Sequence, residues 1–290
     1  MYYKKPEKLS LLWVISHLMT KNLDEKGLSS IVDKYDFYFI DLWGVIHNGI
    51  VLHSKAIDVL KKISEIKKDY ILLTNAPRPN NIVKSFLEKM GMSKSIRDRV
   101  YTSGEAALKY LKKNHQNENF FHVGPPRDFD LFFNFKNKKT QNLNQSKYIL
   151  CTGLFTDHEK DLNYYKDLLI DSISQKMICT NPDLIVDRGK RREYCAGSVA
   201  KVFEDLGGEV VYFGKPYPEV YKQAMINNKK KIIAIGDNLN TDIKGAINMN
   251  YDSLLITGGI HNDEIKKNGI EFVLKNYNAK VNFLQSELKW

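Results

Sequence analysis

The sequence predicts an α/β protein in which a Rossmann-like parallel sheet carries a smaller inserted α/β domain. Short apolar runs alternate along the chain with amphipathic stretches of helical periodicity. Runs apolar enough to be buried on both faces are typical of parallel strands covered by helices. The runs that carry the prediction are FYFI (37–40), YILL (70–73), VVYF (210–213), IIAI (232–235) and SLLI (253–256).

Residues 117–208 differ from the rest and are predicted to form the inserted domain. The block begins FFHVGPPRDFD, continues through a polar connection, and resumes with two strand-like runs, YILC and KMICT, separated by a helical pattern. A chain of 290 residues also exceeds the usual domain size of roughly 100–150 residues. We therefore predict a core domain from residues 1–116 and 209–290, with the insert at 117–208.

The charge balance does not by itself point to a nucleic-acid partner. The net charge is +10, but the basic residues are mostly lysines scattered along predicted helices, a pattern typical of solvated helix faces. Three cysteines without CxxC spacing suit a reducing compartment, so we expect a cytosolic protein. No nucleic-acid or membrane partner is expected.

The first residues, MYYKKPEKLSLLWVISHLM, superficially resemble a signal peptide. The apolar run contains His17 and lacks a small-residue cleavage site, which favours an amphipathic helix. It also falls short of the ~20 apolar residues that span a membrane.

Polar residues directly follow four of the predicted strands. In an open parallel sheet, ligands bind outside the carboxyl ends of the strands, so these residues are candidates for one functional site. Taken singly, each is as well explained as a turn residue or a helix cap, but four at successive strand ends favour a site. The four groups are Asp41–Gly44, Thr74–Asn75, Gly214–Pro216 and Gly236–Asn238.

The acidic members of this set predict a magnesium site. Mg²⁺ prefers oxygen ligands and commonly uses one or two carboxylates together with phosphate and water. Asp41 and Asp237 are the predicted ligands, and Asp242 in GDNLNTD is predicted to hold a coordinated water. Asp41 is also the predicted covalent nucleophile.

The remaining members predict a phosphate site, because phosphoryl transfer needs donors for the charge on the equatorial oxygens. Lys215 would neutralise Asp41 and the phosphate, while the Thr74 hydroxyl and the Asn75 N–H would hold a phosphate oxygen. Gly44 belongs to the same phosphate-binding prediction.

The order of these motifs resembles the haloacid dehalogenase superfamily of hydrolases. DLWGVIHNG, LLTNAPRP, GPPRD, CTGLF, TNPDLIVDRG, YCAG and GGEVVYFGKPYPEVY are similar to a subfamily of the class IIA branch, which includes NagD-type phosphatases. The resemblance covers about residues 30–262. It implies an aspartyl-phosphate on Asp41, a Mg²⁺ cofactor, and a cap domain that selects a small phosphorylated substrate of the sugar phosphate or nucleotide monophosphate class.

Trp43 departs from the family pattern. In phosphatases of the superfamily this position holds an Asp that protonates the leaving oxygen and later activates water, whereas its backbone carbonyl binds Mg²⁺; Trp43 keeps only the carbonyl. Loss of a general acid typically lowers the rate by ~10²–10⁴-fold. Three interpretations stay open: a phosphohydrolase that uses good leaving groups or another acid, a metal-independent dehalogenase, and a weakly active or non-catalytic protein that binds a phosphoryl ligand. The metal motif GDNLNTD disfavours the dehalogenase.

His47 is the candidate replacement acid, because imidazole titrates near neutrality; the alternative is a histidine that binds a neighbouring backbone group. Trp43 itself is predicted to contact the substrate. A homodimer formed through the cap is a further possibility. Charged residues expected to face the substrate are Arg78, Arg127, Asp183 and Arg188, although exposed arginines more often form surface ion pairs.

Overall fold

The computed structural model describes residues 20–188, 191–225 and 231–290. The amphipathic helix predicted for the first residues lies outside the described residues. None of the helices within the described ranges is long and apolar enough to cross a membrane.

The larger sheet contains seven parallel strands in the described part of the chain. The predicted runs at 37–40, 70–73, 232–235 and 253–256 all lie in this sheet. In spatial order its strands are β1 (Lys21–Asn22), β14 (Phe283–Gln285), β13 (Asp252–Ile256), β12 (Ile232–Gly236), β2 (Phe37–Ile40), β3 (Asp69–Thr74) and β4 (Val100–Thr102).

A second parallel sheet, with five strands among the described residues, forms the predicted insert. A separate antiparallel pair, which we call the cap hairpin, consists of β9 (Ile185–Arg188) and β10 (Arg191–Tyr194). In spatial order the strands of the second sheet are β11 (Glu209–Tyr212), β8 (Lys176–Cys179), β7 (Tyr148–Cys151), β5 (Phe120–Val123) and β6 (Lys139–Thr140).

The placement of β11 corrects one prediction. The run at 210–213 was predicted to join the core sheet, but β11 pairs in parallel register with β8 of the second sheet. The return of the chain to the core therefore comes after Tyr212 and not at the predicted 208/209 boundary. The run is strand-forming in either sheet, so its apolar pattern could not distinguish the two.

Helices cover the sheets and follow the predicted amphipathic pattern. In α1 (Ser54–Glu65), the buried positions Ala56, Val59, Leu60 and Ile63 have helical spacing. The helices of the described chain are α1, α2 (Asn80–Lys89), α3 (Lys94–Arg97), α4 (Ser103–Asn114), α5 (Leu162–Leu169), α6 (Ala196–Asp205), α7 (Pro218–Ala224), α8 (Lys244–Met249), α9 (Asn262–Asn268) and α10 (Ile270–Asn276).

The alternation of side chains along β2 divides the core sheet into two buried faces. Tyr38 and Ile40 point into the cluster on one face. Phe37 and Phe39 point into the opposite cluster, which also contains Phe120 of the second sheet. Because this second cluster is shared, the insert packs against that face of the core sheet.

Candidate active site

Three of the predicted site segments meet because their strands are neighbours in the core sheet. Asp41 follows β2, Thr74 ends β3, and Asp237 follows β12. The backbone N–H of Asp41 donates to the carbonyl of Ile235 at 2.8 Å, which fixes the first loop against β12. The side chains of Asp41, Thr74 and Asp237 are all buried.

Lys215 reaches the same place from the second sheet, because it follows β11. Its Nζ is buried and donates to Oδ1 of Asp41 and, at 2.7 Å, to Oδ1 of Asp242. The structure thus brings together the four predicted groups, although one of them arrives from a different sheet than expected.

The side chains of Asp41, Asp237 and Asp242 form a buried carboxylate cluster. One oxygen from each lies within 4.8 Å of the others. Asp242 also accepts the backbone N–H of Asn238 at 3.2 Å. The three side chains offer only oxygen ligands, and their combined negative charge exceeds the single positive charge of Lys215. Both properties fit the preference of Mg²⁺.

The acid–base properties of the cluster reflect that excess of negative charge. Burial raises the pKa of Asp41, with Lys215 opposing it and Asp242 reinforcing it. Burial, followed by the charge of Asp242, raises the pKa of Asp237 to about 7. Burial alone would lower the pKa of Lys215, but the carboxylates of Asp242 and Asp41 raise it, so Lys215 stays protonated.

Two glycines enclose the carboxylate of Asp237. A Cβ on Gly44 would lie 2.1 Å from Oδ2 of Asp237, and a Cβ on Gly259 would lie 2.0 Å from the same atom. Gly44 also has a φ of 84°, a conformation that favours glycine. The backbone N–H of Ile260 donates to Oδ2 of Asp237 at 2.8 Å, so the orientation of this carboxylate is fixed.

The side chain of Asn75 connects the core to the insert. Its Oδ1 accepts the N–H of Lys215 at 2.8 Å, and its Nδ2 donates to the carbonyl of Lys215 at 3.0 Å and to Oδ1 of Asp183 at 3.1 Å. The sequence predicted a role only for the backbone N–H of Asn75. The neighbouring Thr74 hydroxyl accepts the N–H of Ala76 at 3.3 Å, which leaves its proton available for a ligand.

Trp43 turns its side chain to the cap hairpin. Its Nε1 donates to the backbone carbonyl of Asp187 at 2.6 Å, and the guanidinium carbon of Arg188 lies 5.1 Å from the ring centroid. A Cβ on Gly49 would lie 2.6 Å from the indole, so the ring is closely packed. Arg188, which is predicted to face the substrate, thus also contacts Trp43.

His47 has the environment of a structural histidine. It is buried, its Nδ1 accepts the N–H of Gly49 at 2.9 Å, and its ring packs against Trp43 and Phe86. Burial lowers the pKa of His47 to about 4. The imidazole is thus neutral near pH 7, and this environment does not support the predicted role as an acid.

Two adjoining cavities meet at the site. The catalytic cavity, of about 370 Å³, is lined by Asp41, Lys215 and Asp237. The outer cavity, of about 790 Å³, extends under the insert. The predicted substrate residues Arg78, Arg127 and Arg188 line the outer cavity, and the residues that line both cavities are Trp43, Thr74, Asn75, Asp183, Ile185, Val186 and Arg192.

The predicted arginines differ in their surroundings. Arg78 forms an ion pair with Asp130, and Arg188 lies 3.5 Å from Glu193. Arg127 is exposed, and its positive charge partly opposes the burial that raises the pKa of the neighbouring Asp128. The structure therefore places all three at the outer cavity, and two of them also satisfy the ion-pair alternative.

Sequence reasoning missed two residues at the cavities. Asp128 is buried, lines the outer cavity, and has its pKa raised to about 6 by burial; it stands beside Arg127 in the GPPRD motif, which was the available signal. Arg192 binds the carboxylate of Asp187 through two hydrogen bonds of 2.8 and 2.9 Å. Arg192 lies in the basic run RGKRRE (188–193), but the run alone does not indicate a site, because the role of Arg192 depends on how the hairpin folds.

Comparison with known families agrees with this geometry. Residues 38–135 match a family model described as haloacid dehalogenase-like hydrolase, and residues 212–278 match a second HAD-hydrolase-like model. A solved structure of a haloacid dehalogenase-like hydrolase from Brucella suis is 32% identical, with a TM-score of 0.75 over 81% of this chain and 90% of that one.

More distant relatives include several phosphatases. The dihydroxyacetone phosphatase of Corynebacterium glutamicum is 24% identical, over 79% of this chain and 84% of its own length. The 5'-nucleotidase YutF of Bacillus subtilis is 22% identical, over 78% of this chain and 88% of its own length. The p-nitrophenyl phosphatase from Archaeoglobus fulgidus, 17% identical, shares the fold with a TM-score of 0.69 over 88% of this chain and 97% of that one.

Proposed function

The chain belongs to the haloacid dehalogenase-like hydrolase family, and we propose that it is a Mg²⁺-dependent hydrolase of a small phosphorylated metabolite. This membership confirms the resemblance and the hydrolase class predicted from the sequence. The observation that carries the proposal is the buried carboxylate cluster with Lys215 bound to two of its members.

The charges at the cluster suit phosphoryl transfer. Asp41 is the proposed nucleophile, and Lys215 holds its carboxylate in one orientation. Mg²⁺, held by Asp41, Asp237 and the backbone carbonyl of Trp43, with Asp242 acting through water, would supply positive charge against the phosphoryl oxygens. The same cation would balance the carboxylates that Lys215 leaves unneutralised.

The proposed reaction has two steps. An Asp41 oxygen attacks phosphorus and the bond to the leaving oxygen breaks, giving an aspartyl-phosphate. Water then attacks phosphorus, the bond to Asp41 breaks, and inorganic phosphate leaves. In both steps Lys215 and the Thr74 hydroxyl bind phosphoryl oxygens, while the insert excludes bulk water.

The relatives support a sugar phosphate or nucleotide monophosphate as the substrate class, since their names include a dihydroxyacetone phosphatase and a 5'-nucleotidase. The outer cavity of about 790 Å³ is the proposed place for the leaving group, with Arg78, Arg127 and Arg188 around it. A cytosolic location and a homodimer formed through the insert stay predictions.

A phosphatase assay tests the proposal. p-Nitrophenyl phosphate and a panel of sugar phosphates and nucleotide monophosphates are incubated with the protein in Mg²⁺ and in EDTA. We expect phosphate release that requires Mg²⁺ and is lost in Asp41→Asn, whose Lys215 still pairs with Asp242 and so supports folding. Silence across the panel, with phosphate binding by calorimetry, would instead assign the site to ligand binding. Turnover by Asp41→Asn equal to wild type would remove the nucleophile assignment.

A further inference from the structure

In the proposed reaction most leaving groups need a proton. Neither Trp43 nor His47 of the first loop can supply it. The Nε1–H of Trp43 is donated to Asp187, and indole is not an acid in this pH range. Nδ1 of His47 accepts the N–H of Gly49, so the remaining ring proton, on Nε2, is that of a neutral imidazole, which is not an acid in this pH range. A proton donor must therefore come from another segment that reaches the junction of the two cavities.

Asp183 lies at that junction. It is one of the residues that line both cavities, and it is partly exposed to them. The leaving oxygen joins the phosphoryl group to the remainder of the substrate. It must therefore lie between the catalytic cavity, which contains Asp41, and the outer cavity, which has room for the leaving group.

The carboxyl of Asp183 is held in place from the core side. Nδ2 of Asn75 donates to its Oδ1 at 3.1 Å, and the same amide is fixed by both backbone groups of Lys215. The Thr241 side chain is a further polar neighbour of Asp183, and it lowers the pKa of that carboxyl. Asn75 thus connects the carboxyl of Asp183 to Lys215, the lysine that binds Asp41.

The backbone of Asp183 is equally fixed from the insert side. Its carbonyl accepts the N–H of Gly197 at 3.1 Å, in the first turn of α6, and a Cβ on Gly197 would lie 2.5 Å from that oxygen. The next carbonyl, of Leu184, accepts the hydroxyl of Ser198 at 2.6 Å. Hydrogen bonds that hold a loop against a helix in this way give a catalytic group of the loop a defined orientation.

We propose that Asp183 is the general acid and base of the reaction, supplied by the insert in place of the Asp that Trp43 replaces. This inference rests on the proposed function. As the bond between phosphorus and the leaving oxygen breaks, the proton of the Asp183 carboxyl passes to that oxygen and an alcohol leaves. The Asp183 carboxylate then takes a proton from the water that attacks the aspartyl-phosphate, which regenerates the acid.

The charges around Asp183 are compatible with both roles. Burial is the main influence and raises the pKa of Asp183 to about 6, Lys215 opposes this, and the charge of Asp242 reinforces it. Asn75 and Thr241 are neutral partners. A group that titrates near neutrality can donate a proton in the first step and accept one in the second.

The dependence of rate on leaving group tests the proposal. kcat/KM is measured for dinitrophenyl, p-nitrophenyl and phenyl phosphates and for glycerol phosphate, in wild type and in Asp183→Asn, which keeps an acceptor for Asn75. We expect Asp183→Asn to lose ~10²–10⁴-fold on glycerol phosphate and less than about tenfold on dinitrophenyl phosphate, whose leaving group needs no proton. The alkaline decline of the glycerol phosphate rate should also disappear in the variant.

A control and a second variant separate the outcomes. Asp205→Asn removes an exposed carboxylate of the insert that pairs with Lys201, and it should behave as wild type. Asp183→Ala should regain activity on glycerol phosphate when formate is added, because formic acid can occupy the vacated space. An equal loss on all four esters, or none, together with no rescue by formate, would overturn the role of Asp183. Inactivity of wild type on every ester would instead overturn the proposed function, and with it this inference.

Discussion

The indole N–H of Trp43 donates a 2.6 Å hydrogen bond to the backbone carbonyl of Asp187, which lies on β9 of the cap hairpin. The carboxylate of Asp187 binds Arg192, which in turn donates to the carbonyl of Ile260 at 3.3 Å. The N–H of Ile260 binds Asp237. The hairpin is thus attached to the core at two points, and each point adjoins a predicted magnesium ligand.

Trp43→Asp should lower turnover, although it restores the residue that the family uses as acid. The substitution removes the attachment to Asp187 and the wall between the two cavities. Misplacement of the hairpin over the site should lower kcat/KM on the order of 10- to 100-fold. Steady-state kinetics on p-nitrophenyl phosphate and glycerol phosphate measure the effect, and a rise in turnover on either ester would contradict it.

Trp43→Phe is the matched control, because it keeps an aromatic ring and removes the N–H together with the rest of the five-membered ring. The loss of one hydrogen bond should lower the free energy of unfolding by about 0.5–1.5 kcal/mol, and the cavity left by the smaller ring adds to this loss. Denaturant titration measures this change, and the kinetic effect should lie between wild type and Trp43→Asp.

Mg²⁺ should stabilise the wild-type protein and not Asp237→Asn. Asp237 is buried between Gly44 and Gly259, and its replacement removes one of the three carboxylates of the cluster. At 100 times its Kd, a bound ion stabilises the folded state by about 2.7 kcal/mol, which should raise Tm by several degrees. Differential scanning fluorimetry with Mg²⁺ and with EDTA measures the shift. Asp205→Asn is the control that should respond as wild type, and equal shifts in all three proteins would place the ion elsewhere.

The stability of the metal-free protein should fall as the pH rises toward neutrality. Burial, followed by the charge of Asp242, raises the pKa of Asp237 from 3.8 to about 7 in the folded state. The folded protein therefore binds more protons than the unfolded chain between these values. The contribution of Asp237 is fully present below pH 3.8 and is lost as the pH rises through about 7.

The difference between wild type and Asp237→Asn isolates this contribution. In EDTA, the stability of wild type relative to Asp237→Asn should decline on the order of a few kcal/mol between acidic and neutral pH. Urea titrations at several pH values measure it. A relative stability that rises over the same interval would show that Asp237 is charged throughout. Since Mg²⁺ needs the deprotonated carboxylate, its affinity should increase over the same interval.

The sequence was sufficient for the parts of the site that depend on strand order. Asp41, Thr74 and Asp237 follow apolar runs of one parallel sheet, and the carboxyl ends of such strands meet at one edge. Lys215 lies at the site as predicted, but it reaches the site from the second sheet and not from the core sheet. Its preceding strand belongs to the second sheet, and an apolar run does not specify which sheet it joins.

The side-chain roles that the sequence could not predict depend on contacts between the two sheets. Nothing in the local pattern around Trp43 indicates that its N–H meets a carbonyl 144 residues away in the chain. The hydrogen bonds that Asn75 forms with Lys215 and Asp183 likewise join residues that are far apart in the chain. His47 shows the reverse case, because its titration range suggested chemistry and only its burial shows a structural role.

Gly44→Ala should abolish Mg²⁺ binding and turnover, because the added Cβ would lie 2.1 Å from Oδ2 of Asp237. The backbone conformation, with a φ of 84°, adds strain of about 1–2 kcal/mol. Gly91→Ala is a matched control. Gly91 has a φ of 88°, and its added Cβ would meet no atom within 4 Å, so this variant carries the strain without the clash. Both variants should lose similar stability from the backbone, while only Gly44→Ala should lose the Mg²⁺-dependent rise in Tm and the phosphatase activity. Mg²⁺ binding by Gly44→Ala equal to that of Gly91→Ala would show that the carboxylate of Asp237 can move without loss of the site.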